Sequence, residues 1–384
     1  MSKKISLKNL YIFTFILWFS TEILFNTTLK TIFDVEINKV NNVVNWLIFA
    51  LLMLQIVFFQ TYNKREVIII VGITLPIVIA TILSGSKQIL SAWMFIVAAK
   101  NNKYDKIINT AYKILLIMLP MIIFLQFFGI IEDRTMMRGN IQRYSLGFSH
   151  PNQLGLRIVQ LILCHCYVNR GKLNFRRFLY IILAVIFTIE IPNSQTAYIS
   201  LMVFLILLFI YKYIENQKQM YMDLYMKSLM VGVLLLNLLS ILFSYIDVNK
   251  YVILSQLNNW MSARFSWCHK VWQIHGVSFW GQKVYVFADE VKSVGMSGRL
   301  WLDNSYASIL LRYGILVFLI FSISYLYLLK NMAVRKEYVL VIILFLYSLY
   351  GIMENGLYMV TQNIFLIAFS DLLFRKTDMR GLKE

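Results

Sequence analysis

TAYKILLIMLPMIIFLQFFGII (residues 110–131), EDRTMMRGNIQRYSLGFSHP (132–151) and NQLGLRIVQLILCHCYVN (152–169) follow one another through the middle of the chain. The first and third stretches are apolar and close to the roughly 20 residues that cross a bilayer as a helix. The second is polar, carries Arg134, Arg138 and Arg143, and runs into a Gly/Pro/Asn turn signal; Arg157 follows just inside the next apolar run. This spacing predicts two membrane-crossing helices joined by a basic turn. Guanidinium groups gathered at a membrane face suit a phosphate-bearing lipid, because their planar fork matches phosphate oxygens. A solvated loop that is merely basic is the plainer reading.

Composition sets the class. The chain is 59% hydrophobic and 15% charged, with mean hydropathy +0.66; soluble domains carry about 25% charged residues. A core of this size cannot bury that much apolar surface in water, so lipid is the solvent. The net charge of +18 suits a nucleic-acid binder, and equally a membrane protein that keeps its basic loops on the cytoplasmic side. Charge placement favours the second, and no nucleic-acid partner is expected. Three cysteines, Cys164, Cys166 and Cys268, are an odd number, against a disulfide framework. Cys164, His165 and Cys166 are consecutive, so a helix points them in different directions and they make a poor metal cluster. The first apolar run follows MSKKISLK without a small-residue cleavage site and reads as a retained anchor.

Twelve runs are candidate spans: 9–25, 43–60, 67–83, 87–100, 110–131, 152–169, 177–192, 195–212, 228–246, 304–329, 338–353 and 357–374. The run 87–100 is short and 177–192 marginal, and either suits a re-entrant segment, so ten to twelve spans are expected. With the N-terminus inside, every inner connection is basic, from Lys3, Lys4 and Lys8 through Lys64 and Arg65, the lysines at 100–113, Arg170–Arg177, Lys212–Lys227 and Lys330–Lys336 to Arg375–Lys383. Outer connections are short or mixed in sign. This is the positive-inside pattern, and an even number of spans leaves both termini cytoplasmic. No repeat, low-complexity tract or soluble linker interrupts the chain. Residues 1–384 read as one integral, all-α polytopic membrane domain.

Two outer segments break the charge pattern. One is 132–151. The other, 247–303, between the ninth and tenth spans, is the one long connection, and loops of such length usually carry structure or function. It holds Lys250, Arg264, Lys270, Lys283, Lys292 and Arg299, five tryptophans, and His269 and His275. Apolar positions over 251–274 have helical spacing, which predicts an amphipathic helix at the outer interface; a partner-protein surface has the same pattern.

Candidate chemistry concentrates at these segments. Arg157 lies about 8 Å into its span at 1.5 Å per residue, either snorkelling to the surface or lining a cavity. Ser149 or Asn152 can cap that helix, and Pro151 suits its first turn. His150 is placed for acid, base or donor work, or is simply a turn residue. Asp303, before the tenth span, can cap that helix or take a proton from a hydroxyl. Glu22, Glu190 and Glu354 sit near outer span ends and are functional candidates by depth. No GxxxxGK[ST], HExxH or paired Cys/His spacing appears, so neither nucleotide hydrolysis nor a bound transition metal is expected.

Three stretches in this order resemble the Wzy-type polysaccharide polymerases, relatives of the O-antigen ligases. They are SLGFSHPNQLG (145–155) with its upstream arginines, SARFSWCHKVWQIHGVSFWGQ (262–282) and WLDNSYASILLRYG (301–314); the outer turn PNSQTAY (192–198) also looks like that family. The resemblance covers most of the chain and is closest to the capsule and exopolysaccharide branch of Gram-positive bacteria. It implies a GT-C-like, lipid-linked-donor glycosyltransferase needing no cofactor, metal or nucleotide sugar. Such enzymes join oligosaccharide units carried on undecaprenyl pyrophosphate at the outer face of the plasma membrane. Expected partners are those lipids, with the flippase and chain-length regulator of the same pathway.

By that resemblance, Arg143, Arg157 and Arg264 match the pyrophosphate-holding role and Asp303 the base, with His150 a second catalytic candidate. Asn152, Asn304 and Trp267 are expected glycan contacts. Ligases commonly place a histidine before the corresponding asparagine, where this chain has Asp303–Asn304; that favours polymerase over ligase. A ligase and a lipid-linked oligosaccharide flippase or other transporter are the competing readings. A transporter often shows two related halves and midplane ionisable groups, and neither is evident here.

Overall fold

The computed structural model describes residues 2–31, 37–286 and 299–374 and is a bundle of helices. In chain order these are α1 (Ser2–Phe25), α2 (Ile37–Phe58), α3 (Lys64–Ser84), α4 (Gln88–Ala98), α5 (Tyr104–Phe127), α6 (Pro151–Val168), α7 (Phe175–Glu190), α8 (Gln195–Glu215), α9 (Gln219–Tyr245), α10 (Val252–Trp260), α11 (Arg264–His275), α12 (Ser305–Val334), α13 (Tyr338–Met353) and α14 (Ile364–Phe374). The expectations for Lys292, for the basic residues Arg375–Lys383, and for the side chains of Lys3, Lys4 and Lys8 lie outside the described residues.

Among the described residues six helices are long and apolar enough to cross a membrane: Lys39–Phe58, Lys64–Ser84, Tyr104–Phe127, Gln195–Glu215, Gln219–Tyr245 and Ser305–Val334. Leu10–Phe25, Tyr338–Met353 and Ile364–Phe374 are apolar but shorter. Their outer faces are apolar where a soluble protein would be polar: Val43 and Phe58 on α2, Ile68 and Ile82 on α3, Phe209 on α8 and Leu238 on α9 are all more than half exposed. The protein is membrane-embedded and all-helical in its body. The short run at 87–100 gives only the 11-residue α4, about 16 Å long at 1.5 Å per residue.

The last expected span, 357–374, is corrected. Residues 354–363 form turns, and helix resumes only at Ile364. Non-helical backbone survives at such depth only where protein satisfies its polar groups. Here Asn363 Nδ2 donates to Leu357 O, and donors from α6 take the carbonyls of Thr361 and Gln362.

One continuous core runs from Tyr11 on α1 to Phe369 on α14. At its centre is α13, YVLVIILFLYSLYGIM, apolar all round and buried along most of its length, as a helix without a polar face should be. It packs on α8 and α9, while α6 packs on α5, α7 and α8. The connections gather at two ends. At one end, Thr28 N donates to Gly147 O, Ser149 N to Asn26 O, Tyr144 N to Ile191 O and Ser305 Oγ to Glu354 O. At the other, Arg170 pairs with Asp105 and Glu337, Lys100 with Glu66, and Arg335 with Asp371.

The long connection is partly helical, as expected, but its helix is broken. Ser262 and Ala263 have φ of 58° and 59° and separate α10 from α11. The loop carries two small cores. Cys268 and Val271 pack with Leu300, Leu302 and Leu311, and Phe265 packs with Val248 and Met261 against Ile352 and Met353.

Candidate functional site

The site begins with a β-hairpin inside the expected turn, a departure from the all-α expectation. Met136–Arg138 pairs antiparallel with Ile141–Arg143, and the register is Met136 with Arg143 and Arg138 with Ile141. Gly139 takes the left-handed φ of 57° that a two-residue turn demands. Arg138 and Arg143 are therefore diagonal neighbours on one face of the ribbon. Arg143 Nε donates to Pro192 O at 2.9 Å and Arg138 Nη1 to Asn193 O at 3.1 Å. Burial lowers the pKa of both, that of Arg143 to about 10, and neighbouring arginines act in the same direction, Arg138 on Arg143 and Arg264 on Arg138.

The cap of α6 is His150 rather than Ser149 or Asn152: its Nδ1 accepts from Asn152 N at 3.0 Å. That leaves the Asn152 side chain to bridge. Arg143 Nη2 donates to its Oδ1 at 2.5 Å, and its Nδ2 donates to Glu354 Oε1 at 3.4 Å. Burial, then Arg143, Arg138 and Arg134, push the His150 imidazole down to about 4. It is therefore neutral at physiological pH, with Nδ1 occupied and Nε2 carrying the proton, so it can donate a hydrogen bond but neither accepts a proton nor supplies one readily.

Arg264 arrives from the long connection 247–303, at the start of α11. The left-handed pair Ser262–Ala263 aims it, at an expected cost of about 1–3 kcal/mol per strained residue. Buried Asn258 holds that bend: Ala263 N donates to its carbonyl, and its Oδ1 accepts from Phe265 N and Ser266 N. Arg264 Nη2 then donates to Glu354 Oε1 at 3.0 Å, with the two side chains only 12% and 18% exposed. Thr196 Oγ1 is a third donor to the same oxygen, at 3.4 Å. Arg264 Nη1 is buried and has no partner, so half of the fork is uncommitted.

Asp303 lies half-buried in the field of Arg264 and Arg299; burial raises its pKa above the usual value despite both arginines. Burial also raises that of Glu354, whose second-largest influence is Arg264, in the opposite direction. Arg143, Arg264 and Asn152 thus meet around Glu354, with Asp303 and Arg138 beside them. Glu354 appeared in the sequence only as one of three outer acids. Arg138 was visible in the basic stretch, and the five-residue spacing across a Gly-Asn turn is the signal that pairs it with Arg143.

The other expected residues sit elsewhere. Arg157 is 1% exposed, and its Nη1 donates to Gln160 Oε1 at 2.7 Å and Thr361 O at 3.0 Å. It holds the turn segment 354–363 from below. Asn304 is wholly buried and caps α12, its Oδ1 accepting from Tyr306 N and Ala307 N while its amide meets Ser240. Trp267 packs into the loop's own core beneath the Lys270 ammonium, 4.7 Å from its ring centroid. Among the described residues no three His, Cys, Asp or Glu side chains gather as a metal site would require. Compared with known proteins, the chain matches no family model, no curated protein and no solved structure.

Proposed function

We propose that this protein polymerises oligosaccharide repeat units carried on undecaprenyl pyrophosphate into capsular polysaccharide or exopolysaccharide at the outer face of the plasma membrane. It is a Wzy-type, GT-C-like glycosyltransferase with ten to twelve spans and both termini cytoplasmic. The observation that carries this reading is the convergence of Arg138, Arg143 and Arg264, from two stretches far apart in sequence, around one carboxylate at one end of an apolar bundle. The opposite end carries the basic connections, as a cytoplasmic face should.

In the reaction, a hydroxyl oxygen of the incoming unit attacks the anomeric carbon of the growing chain. The bond from that carbon to the pyrophosphate oxygen breaks, and the lipid pyrophosphate leaves with the electron pair. Arg143 and the uncommitted Nη1 of Arg264 stabilise the charge that builds on the departing oxygen, the preorganised electrostatics that dominate such catalysis. Asp303, its pKa raised by burial, accepts the hydroxyl proton. Glu354 fixes the Arg264 fork, and His150 contributes its Nε2 proton as a hydrogen-bond donor. Arg157 acts in this scheme as a positioning residue beneath Glu354 and not as a phosphate ligand. The test is purified protein with synthetic lipid-linked repeat units: long chains are expected, and units left unjoined sink the reading in favour of transport.

A further inference from the structure

A second site lies on the other side of the broken segment. A cavity of about 450 Å³ opens between α1, α2, α4 and residues 359–361, within the 300–1,000 Å³ of ligand pockets. Its floor is apolar, with Trp18, Leu52, Met94 and Phe95; its rim carries Asn42, Asn45, Lys87 and Gln88. The polarity divides this way because α2 and α4 start at the outer end with polar residues and become apolar below. Lys87 Nζ stands 4.8 Å from the Trp46 ring centroid and has no carboxylate partner among the described residues. Glu22 also lines the cavity, on the side where it faces the charge of Arg157.

Thr81 supplies an independent sign of an occupant. It is 9% exposed, lines the cavity, and its Oγ1 has no hydrogen-bond partner, although a helical threonine can bond its own preceding turn. The geometry points to a binding site for an anionic, phosphate-bearing lipid, with the headgroup on Lys87 and Gln88 and one hydrocarbon chain laid on Trp18, Leu52, Met94 and Phe95. An amphipathic cavity with one cation at its mouth matches that chemistry. The site stands whether or not the arginine cluster joins sugars. Its back wall, Met359–Thr361, belongs to the same turn segment that presents Glu354, so a lipid seated here braces that segment.

The test is lipid retention read by native mass spectrometry, on the native protein and on an Arg264→Ala background that weakens the arginine cluster. Undecaprenyl phosphate, phosphatidylglycerol and zwitterionic phosphatidylcholine are offered separately. An anionic lipid is expected to be retained at least tenfold over phosphatidylcholine in both backgrounds, and the preferred one names the source. Ser91→Trp, which fills the cavity, is expected to lower retention at least tenfold. Lys87→Glu, at an exposed position, is expected to abolish the preference for anions, and it remains informative if the filled variant fails to fold. Equal retention by the native protein and Lys87→Glu, or no preference over phosphatidylcholine, overturns the site.

Discussion

The two ends of the bundle treat their arginines differently. At the end proposed as cytoplasmic, here the inner end, Arg170 meets Asp105 at 2.9 Å and Glu337 at 3.1 Å, and Arg335 meets Asp371 at 3.3 Å. At the opposite end, proposed to face outward and here the outer end, Arg138 and Arg143 bond only carbonyls and an amide, and Arg264 takes one carboxylate that Asn152 and Thr196 also address. Buried cations are normally paired one for one, because an uncompensated one is costly. Backbone strain divides the same way: Leu146, Asn193, Ser262 and Ala263 have left-handed φ at the outer end, against Lys336 at the other among the described residues. Stability accounts for the inner end. The outer end holds positive charge and strain that stability would not select, which is what a site for an anionic ligand requires.

The strongest way to break this contrast is to delete one arginine from each end. Arg264→Ala is expected to lower polymer formation about 10²–10³-fold, the usual loss on removing one donor to a developing negative charge, and to leave single-unit lipid intermediates. Arg170→Ala should keep full chain length and show its effect in thermal unfolding. A loss of polymer in Arg170→Ala at unchanged melting temperature would erase the division.

Arg157 tests the same boundary from within the outer half. Arg157→Ala leaves Thr361 O with Gln160 Nε2 but strips the donor from the wholly buried Gln160 Oε1, at about 1–3 kcal/mol for a group left unsatisfied. Its melting temperature in detergent should fall further than that of Arg264→Ala. A stable Arg157→Ala protein that binds donor lipid poorly would return Arg157 to the phosphate site.

Glu354→Gln keeps shape and removes charge. Elongation should slow about tenfold as the Arg264 fork loosens, while donor lipid binds more tightly because net positive charge rises; the split between kcat and KM reads this. Arg143→Lys loses the planar fork at a site that uses it, and a several-fold rise in KM for the donor is the expected outcome.

The smallest effect is a pH dependence. The His150 pKa falls from 6.5 to about 4 on folding, so its neutral form stabilises the protein above pH 6.5. That contribution is lost as pH falls from 6.5 through 4. The raised carboxyls of Asp303 and Glu354 act in the opposite sense. Comparing native protein with His150→Asn isolates the histidine: melting temperatures at pH 7 and pH 5 should differ less in the variant.

Much of the body was legible because apolar runs report their solvent directly. The basic turn at 132–151 and the partly helical loop at 247–303 came from composition and spacing, whereas Arg143 and Arg264 were singled out, with Arg157, by the family resemblance. Three features were not legible. The break extends over 357–363, inside the run 357–374 that is apolar enough to read as a span. Arg157 looks the same in sequence whether it faces a cavity or a carbonyl. Ser262–Ala263 carries no glycine to announce a left-handed bend, and Asn258 enforces it through side-chain bonds.

Sequence alone determined that the chain lives in lipid and where along it basic residues cluster, since burial in a bilayer depends on the local tally of apolar groups. Tertiary structure alone decided that Arg264 meets Glu354, 90 residues away, and that Arg157 serves the backbone. Those outcomes depend on bends and breaks whose strain is offset by distant partners, and no local window contains both halves of such a contact.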